Sequence, residues 1–121
     1  MSRLTDTRNR LATALAAAGL RTATGGRFAA PVVLLEPAEP WIDRDTTSHR
    51  VQVRWQLSAI ARAGDSGAAY DELAALIDAI DAALLTLDGV SLPTWGAPHD
   101  VTLGNVAHPT STGTVLMYSE A

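Results

Sequence analysis

A chain of 121 residues with 47% hydrophobic and 18% charged side chains is long enough for one folded domain and too apolar to remain disordered. It contains no cysteine, which excludes a disulfide framework and a thiolate metal site, and no lysine, which excludes a phosphate-binding G-x-x-x-x-G-K-[ST] loop. The net charge of −4 hides a split: nine arginines and five acids up to Arg62 give +4, and eight acids with no base from Ala63 onward give −8. Such asymmetry points to an interaction surface or to pairing between the two halves. Arg3, Arg8 and Arg10 with no compact apolar stretch after them do not read as a signal peptide. The longest apolar run, Phe28 to Leu35, is far short of the ~20 residues that span a bilayer, so the expectation is a soluble protein made in the cytoplasm.

The first predicted element is a helix from Arg3 to about Ala18, with Leu4, Leu11, Leu15 and Ala18 on one stripe, Ser2 as candidate N-cap and Gly19 as stop. Leu20 to Arg27 reads as a loop or weak strand turning at Gly25–Gly26. Pro31 to Glu36 predicts a short strand, continuous in apolar residues and so buried on both faces. Pro37 to Thr47 predicts a long polar loop carrying Trp41, Asp43, Arg44 and Asp45. From Ser48 to Ala61 the chain alternates with period two, placing Val51, Val53, Trp55, Leu57 and Ala59 on one face and Arg50, Gln52, Arg54, Gln56 and Ser58 on the other.

Ser66 begins a second predicted helix running to about Leu87, where Leu73, Ile77, Ile80, Leu84 and Leu87 form the apolar stripe and Asp71, Asp78, Asp81 and Asp88 fall mostly elsewhere. Three further strands are expected at Val90–Leu92, Asp100–Ala107 and Thr112–Tyr118, with Pro93–Pro98 and His108–Pro109 as connectors. The order α-β-β-α-β-β-β lacks βαβ alternation. It predicts a single α+β domain over residues 1–121, a mainly antiparallel sheet with two helices on one face.

Chemistry is hard to assemble from these residues. His49, His99 and His108 form no H-x-x-x-H or H-E-x-x-H pattern and read as solvated or backbone-satisfied side chains. Asp43-Arg44-Asp45 has the carboxylate spacing of a metal motif, but the arginine between them competes for the charge. No G-x-S-x-G elbow is present. The expectation is a non-catalytic chain with no cofactor and no bound metal. Trp55 reads as a packing residue, and Trp41 and Trp95 as interface anchors in loops.

The N-terminal helix, the segment Val32-Val33-Leu34-Leu35-Glu36-Pro37-Ala38-Glu39-Pro40-Trp41, the strand Val51-Gln52-Val53-Arg54-Trp55, the helix Leu73 to Leu84 and a last strand near the C-terminus together resemble the tail terminator (tail-completion) proteins of actinobacterial long-tailed phages. The resemblance covers nearly the whole chain and is one of element pattern, not of a catalytic signature; His108-Pro109 and Gly113 interrupt the region of its closing strand. It implies a hexameric ring in the virion neck, assembled in the host cytoplasm. Such a ring caps the tail tube, ends tube polymerisation, joins the head-side connector and lets DNA through its lumen without sequence-specific binding or membrane contact.

Ring contacts are heterologous, and complementary charge suits them. The expectation is that Arg50 and Arg54 of one subunit face Asp78 and Asp81 of the next. Trp41, Asp43, Arg44, Asp45 and Trp95 are expected at contacts with the tube protein or connector. The alternatives are a head–tail stopper ring or, in another class, a small ligand-binding or enzymatic module, which would need a pocket of converging polar groups.

Overall fold

The computed structural model describes residues 3–25, 28–44, 50–63 and 66–120. The elements are α1 (Arg3–Ala17), β1 (Thr22–Ala23), β2 (Val32–Arg44), β3 (Arg50–Ile60), α2 (Ser66–Leu84), β4 (His99–Leu103) and β5 (Val106–Glu120). The fold is α+β, as the pattern predicts, with one five-stranded sheet ordered β1-β2-β3-β5-β4. All pairings are antiparallel except the two-residue β1 against β2. The element order is α-β-β-β-α-β-β, so the predicted α-β-β-α-β-β-β is corrected on both sides of α2. Before α2 there is one more short strand. After it, Val90 makes only an isolated bridge to Met117.

Both helices cover one face. Leu11 and Leu15 of α1 and Leu73, Leu76, Ile80, Ala83 and Leu84 of α2 form one core with Val33, Leu35, Val51, Val53, Trp55, Leu57, Ala59, Val115 and Met117. Each fully buried Leu or Ile of this set contributes about 1.5–3 kcal/mol relative to exposure. The alternation that defines β3 thus sends its apolar half to the helices and leaves Gln52, Arg54 and Gln56, each half-buried, on the open face.

The first helix stops where its glycine predicts. Gly19 has a φ of 81°, and the amides of Gly19 and Leu20 bond back to the carbonyls of Ala16 and Leu15, at 3.0 Å each. This is the paired closure that a left-handed C′ residue allows, and Leu20 packs onto the core beside it. The predicted N-cap Ser2 lies outside the described residues.

The second helix ends at Leu84, before the predicted Leu87. The Thr86 hydroxyl donates to the Ala83 carbonyl at 2.6 Å, and the amides of Thr86 and Leu87 reach back only three residues. The last turn tightens and the chain leaves the helix. Gly89, with a φ of 70°, turns it toward the sheet.

Three strand boundaries differ from expectation, each for a local reason. Pro37 to Arg44 is not a loop: β2 continues through it, with the register slipping between Pro37 and Ile42 so that Ala38 to Trp41 bulge opposite Arg54. Proline is tolerated because Pro37 stands opposite Trp55, whose own backbone bonds run toward β5, so the missing N–H faces the sheet's edge. Asp100 to Ala107 is a hairpin and not one strand. Gly104, at φ 64°, makes its turn with Asn105 between β4 and β5.

His108-Pro109 is no connector either: β5 runs through it and pairs with β3 in one unbroken register from Thr110 to Glu120. Pro109 accepts a bond from the Ala61 amide at 3.0 Å but has no N–H to return. His108 Nδ1 supplies it instead, 2.9 Å from the Ala61 carbonyl. Since a carbonyl only accepts, that nitrogen carries the proton.

Candidate subunit interface

Two surfaces on opposite sides of the sheet gather the charged candidates. On the open face, Arg54 is held by neighbours of its own sheet. Its Nη2 donates to Gln52 Oε1 at 3.3 Å, and its Nη1 lies 3.9 Å from Asp43 Oδ2. That distance is an ion pair without a hydrogen bond, and Nη1 is buried with no acceptor among the described residues. The Arg54 side chain remains 24% exposed and Asp43 57%, so the pair contributes well under 1 kcal/mol and serves mainly to fix where the cation sits.

On the far side, the outward half of α2 carries Asp71 and Asp78, both exposed, two turns apart. Asp81 is turned inward by comparison and accepts the Trp95 indole N–H at 3.1 Å. Arg54 and Asp78 therefore cannot meet within one subunit, because the sheet separates them. Of the four charges expected to pair between subunits, Arg54 and Asp78 are available for it. Asp81 already holds Trp95, and Arg50 is described only as the backbone partner of Glu120.

The tryptophans do most of their contacting inside the fold. Trp41 sits in β2, not in a loop, and meets Trp55 edge-on, with centroids 5.7 Å apart and planes at 80°. Its Nε1 is buried and finds no acceptor among the described residues. Trp55 donates to the Thr7 hydroxyl of α1 at 3.0 Å, and that hydroxyl donates to the Leu4 carbonyl at 2.8 Å. Trp95 lies in the irregular stretch 91–98, as expected, and covers Gly113 of β5. The same stretch is tied to β5 by the Gly96 amide on the Thr112 carbonyl at 2.9 Å and by Ser111 Oγ on the Gly96 carbonyl at 2.7 Å. Of the D-x-D cluster, Asp43 is on the open face, Arg44 is described as the backbone partner of Val51, and Asp45 lies outside the described residues, as does His49.

Two depressions were not signalled by the sequence. One, of about 540 Å³, lies between Gln56 and Thr114 on the sheet and Ser91 to Gly96 alongside, lined by hydroxyls, an amide and backbone. The other, of about 550 Å³, runs between Arg10, Thr13 and Ala17 of α1 and Thr86–Leu87 after α2, with Arg10 Nη2 donating to the Asp88 carbonyl at 3.0 Å. Both are assembled from residues distant in sequence with no spacing motif, so only the fold brings them together. Among the described residues no three histidine, aspartate or glutamate side chains converge as metal ligands. No protein-family model matches the chain, and no curated protein sequence matches it.

Proposed function

We propose that this chain is a structural subunit of a long-tailed phage, a ring-forming tail terminator that caps the tail tube, ends its polymerisation and joins it to the head-side connector. The observation that carries this reading is the separation of the charges by the sheet. Arg54 stands on the open face, held beside Asp43, while Asp71 and Asp78 stand with no base beside them on the outward face of α2. Acids on the outward side of α2 and an arginine on the far side of the sheet can meet only between subunits, in head-to-tail contacts, and head-to-tail contacts that close form rings. The pattern likeness to tail terminators supplies the particular ring. A net charge of −4 per subunit also suits a conduit that must not grip passing DNA phosphates.

The test is tube growth. Tube protein of the same phage is polymerised with and without a small molar fraction of this chain, and lengths are read by electron microscopy. Growth that halts early, with density capping one end of each tube, is the expected result. Unchanged lengths and bare ends overturn the reading.

A further inference from the structure

The ladder on the outer side of β5 has a missing rung. Leu116, Thr114 and Thr112 share one parity and turn their backbone groups away from β3. Leu116 uses both of its groups: its carbonyl accepts from the Ser91 amide at 3.0 Å and its N–H donates to Ser91 Oγ at 3.2 Å. The Thr112 carbonyl accepts from the Gly96 amide at 2.9 Å. Thr114, between them, finds no partner in 91–98 for its N–H or its carbonyl. The cause is local. Counting from Ser91 opposite Leu116 puts Pro93 opposite Thr114, and proline has no N–H to give. Pro93 and Trp95 also lean to the helix side, over Gly113. The chain therefore bows out of the sheet plane, taking five steps from Ser91 to Gly96 where β5 takes four from Leu116 to Thr112.

The bow leaves the depression of about 540 Å³, within the roughly 300–1,000 Å³ of ligand sites. It opens on the sheet face away from the helices, beside Gln56, which stands opposite Thr114. Gln56, Thr94, Thr112 and Thr114 line it, and none of these four side chains makes a hydrogen bond to another described residue. An unpaired N–H, an unpaired carbonyl, an amide and hydroxyls thus converge, and no lining side chain carries a charge. An anion would face the carbonyl lone pairs and a cation the N–H, with no counter-charge for either. The complement is a neutral group with donor and acceptor side by side, which is a carboxamide. A further strand does not fit, because Ser91 and Gly96 hold the edge of β5 on either side of the gap.

We propose that the notch at Thr114 binds the side-chain carboxamide of an asparagine or glutamine on a partner protein. The amide oxygen accepts the Thr114 N–H, its NH2 donates to the Thr114 carbonyl, and Gln56 with the Thr94 and Thr112 hydroxyls takes the bonds that remain. The source is a protruding side chain and not a free small molecule, because the notch is open. Thr114 is exposed and Leu92 at the rim is 46% exposed, whereas small-molecule sites enclose most of their ligand. Water can take the same bonds in the isolated subunit, so the fold stands without the ligand. The site does not depend on the chain forming a ring.

The test is amide NMR on isotope-labelled protein. The Thr114 N–H is expected to exchange with solvent faster than that of Val115, which faces β3; equal protection of the two would overturn the missing rung. The probe is acetyl-glutamine N-methylamide, added to about 100 mM because a few hydrogen bonds support only millimolar binding or weaker. The Thr114 amide and the Gln56 side-chain signals should shift together and saturate. The glutamate and methionine analogues, of equal length, should shift neither. Gln56→Ala, at a half-buried position of the open face, should keep the folded spectrum and weaken binding about two- to tenfold. No saturating shift by about 100 mM, or an equal shift from the methionine probe, would overturn the proposal. Tube capping and ring mass are read separately, so the ring reading stands or falls on its own.

Discussion

Replacing Trp55 by alanine lowers the unfolding free energy by about 3–5 kcal/mol, the range for removing a large aromatic side chain from a packed core. Trp55 is 5% exposed at the middle of the central strand, and three elements depend on it. α1 loses the indole N–H that its Thr7 hydroxyl accepts at 3.0 Å, β2 loses the ring that Trp41 abuts at 5.7 Å, and the core loses its largest member. Since domains of this size are stable by about 5–15 kcal/mol, much of the total is at stake. Trp55→Phe separates the contributions. It keeps most of the apolar area and an edge-on partner for Trp41 but drops the hydrogen bond, and it should cost about 1 kcal/mol beyond its lost volume. Urea melts check both, with the midpoint falling and the slope unchanged. A loss under 1 kcal/mol for alanine would mean that α1 is not seated as described.

The second large effect is at Gly113. Any β-carbon there would stand 2.8 Å from Pro93 Cβ and 3.2 Å from two atoms of the Trp95 ring. A proline ring cannot swing aside, so the stretch 91–98 must lift from the sheet. Gly113→Ala is expected to cost about 1–3 kcal/mol and Gly113→Val more, as overpacking does in a filled interior. Lifting also breaks the Trp95 bond to Asp81, so tryptophan emission shifts to the red before global unfolding begins. Gly113→Ala with wild-type stability and emission would contradict the packing described.

Gly113 also shows where the sequence was legible and where it was not. In the sequence it interrupts the last strand, as does His108-Pro109, and both weaken the case for continuous pairing. Neither breaks β5, because the gap at each is filled from elsewhere: Trp95 covers the glycine, and the His108 imidazole replaces the proline's missing N–H. Such repairs rest on contacts between residues far apart in the chain, Trp95 with Gly113 and His108 with Ala61, and leave no mark in local propensity. Trp41 was misplaced for the related reason that two prolines read as a loop, when a bulged edge strand accommodates them equally well. What periodicity governs was readable: the alternation through Val51 to Ala59, the glycine stop of α1 and the apolar stripes of both helices appear in the fold, except that Ala18 lies exposed past the end of α1 and Leu87 packs on the core from beyond the end of α2.

The candidate interface was legible in part. The charge split is visible from composition alone, and β3 alternation puts Arg54 on the open side. That Asp81 is taken by Trp95 while Asp78 is exposed follows only from where 91–98 docks. The exposed alanines of α2 were likewise not distinguished from its buried ones until the helix was set against the sheet.

The mass of the purified protein, measured by light scattering at low and high salt, tests the central claim most directly. The account predicts a ring of about six 12.7 kDa subunits that loosens as salt screens the charge contacts. A mass of 12.7 kDa at every concentration and at both salts, with no binding to added tail tubes, would contradict it.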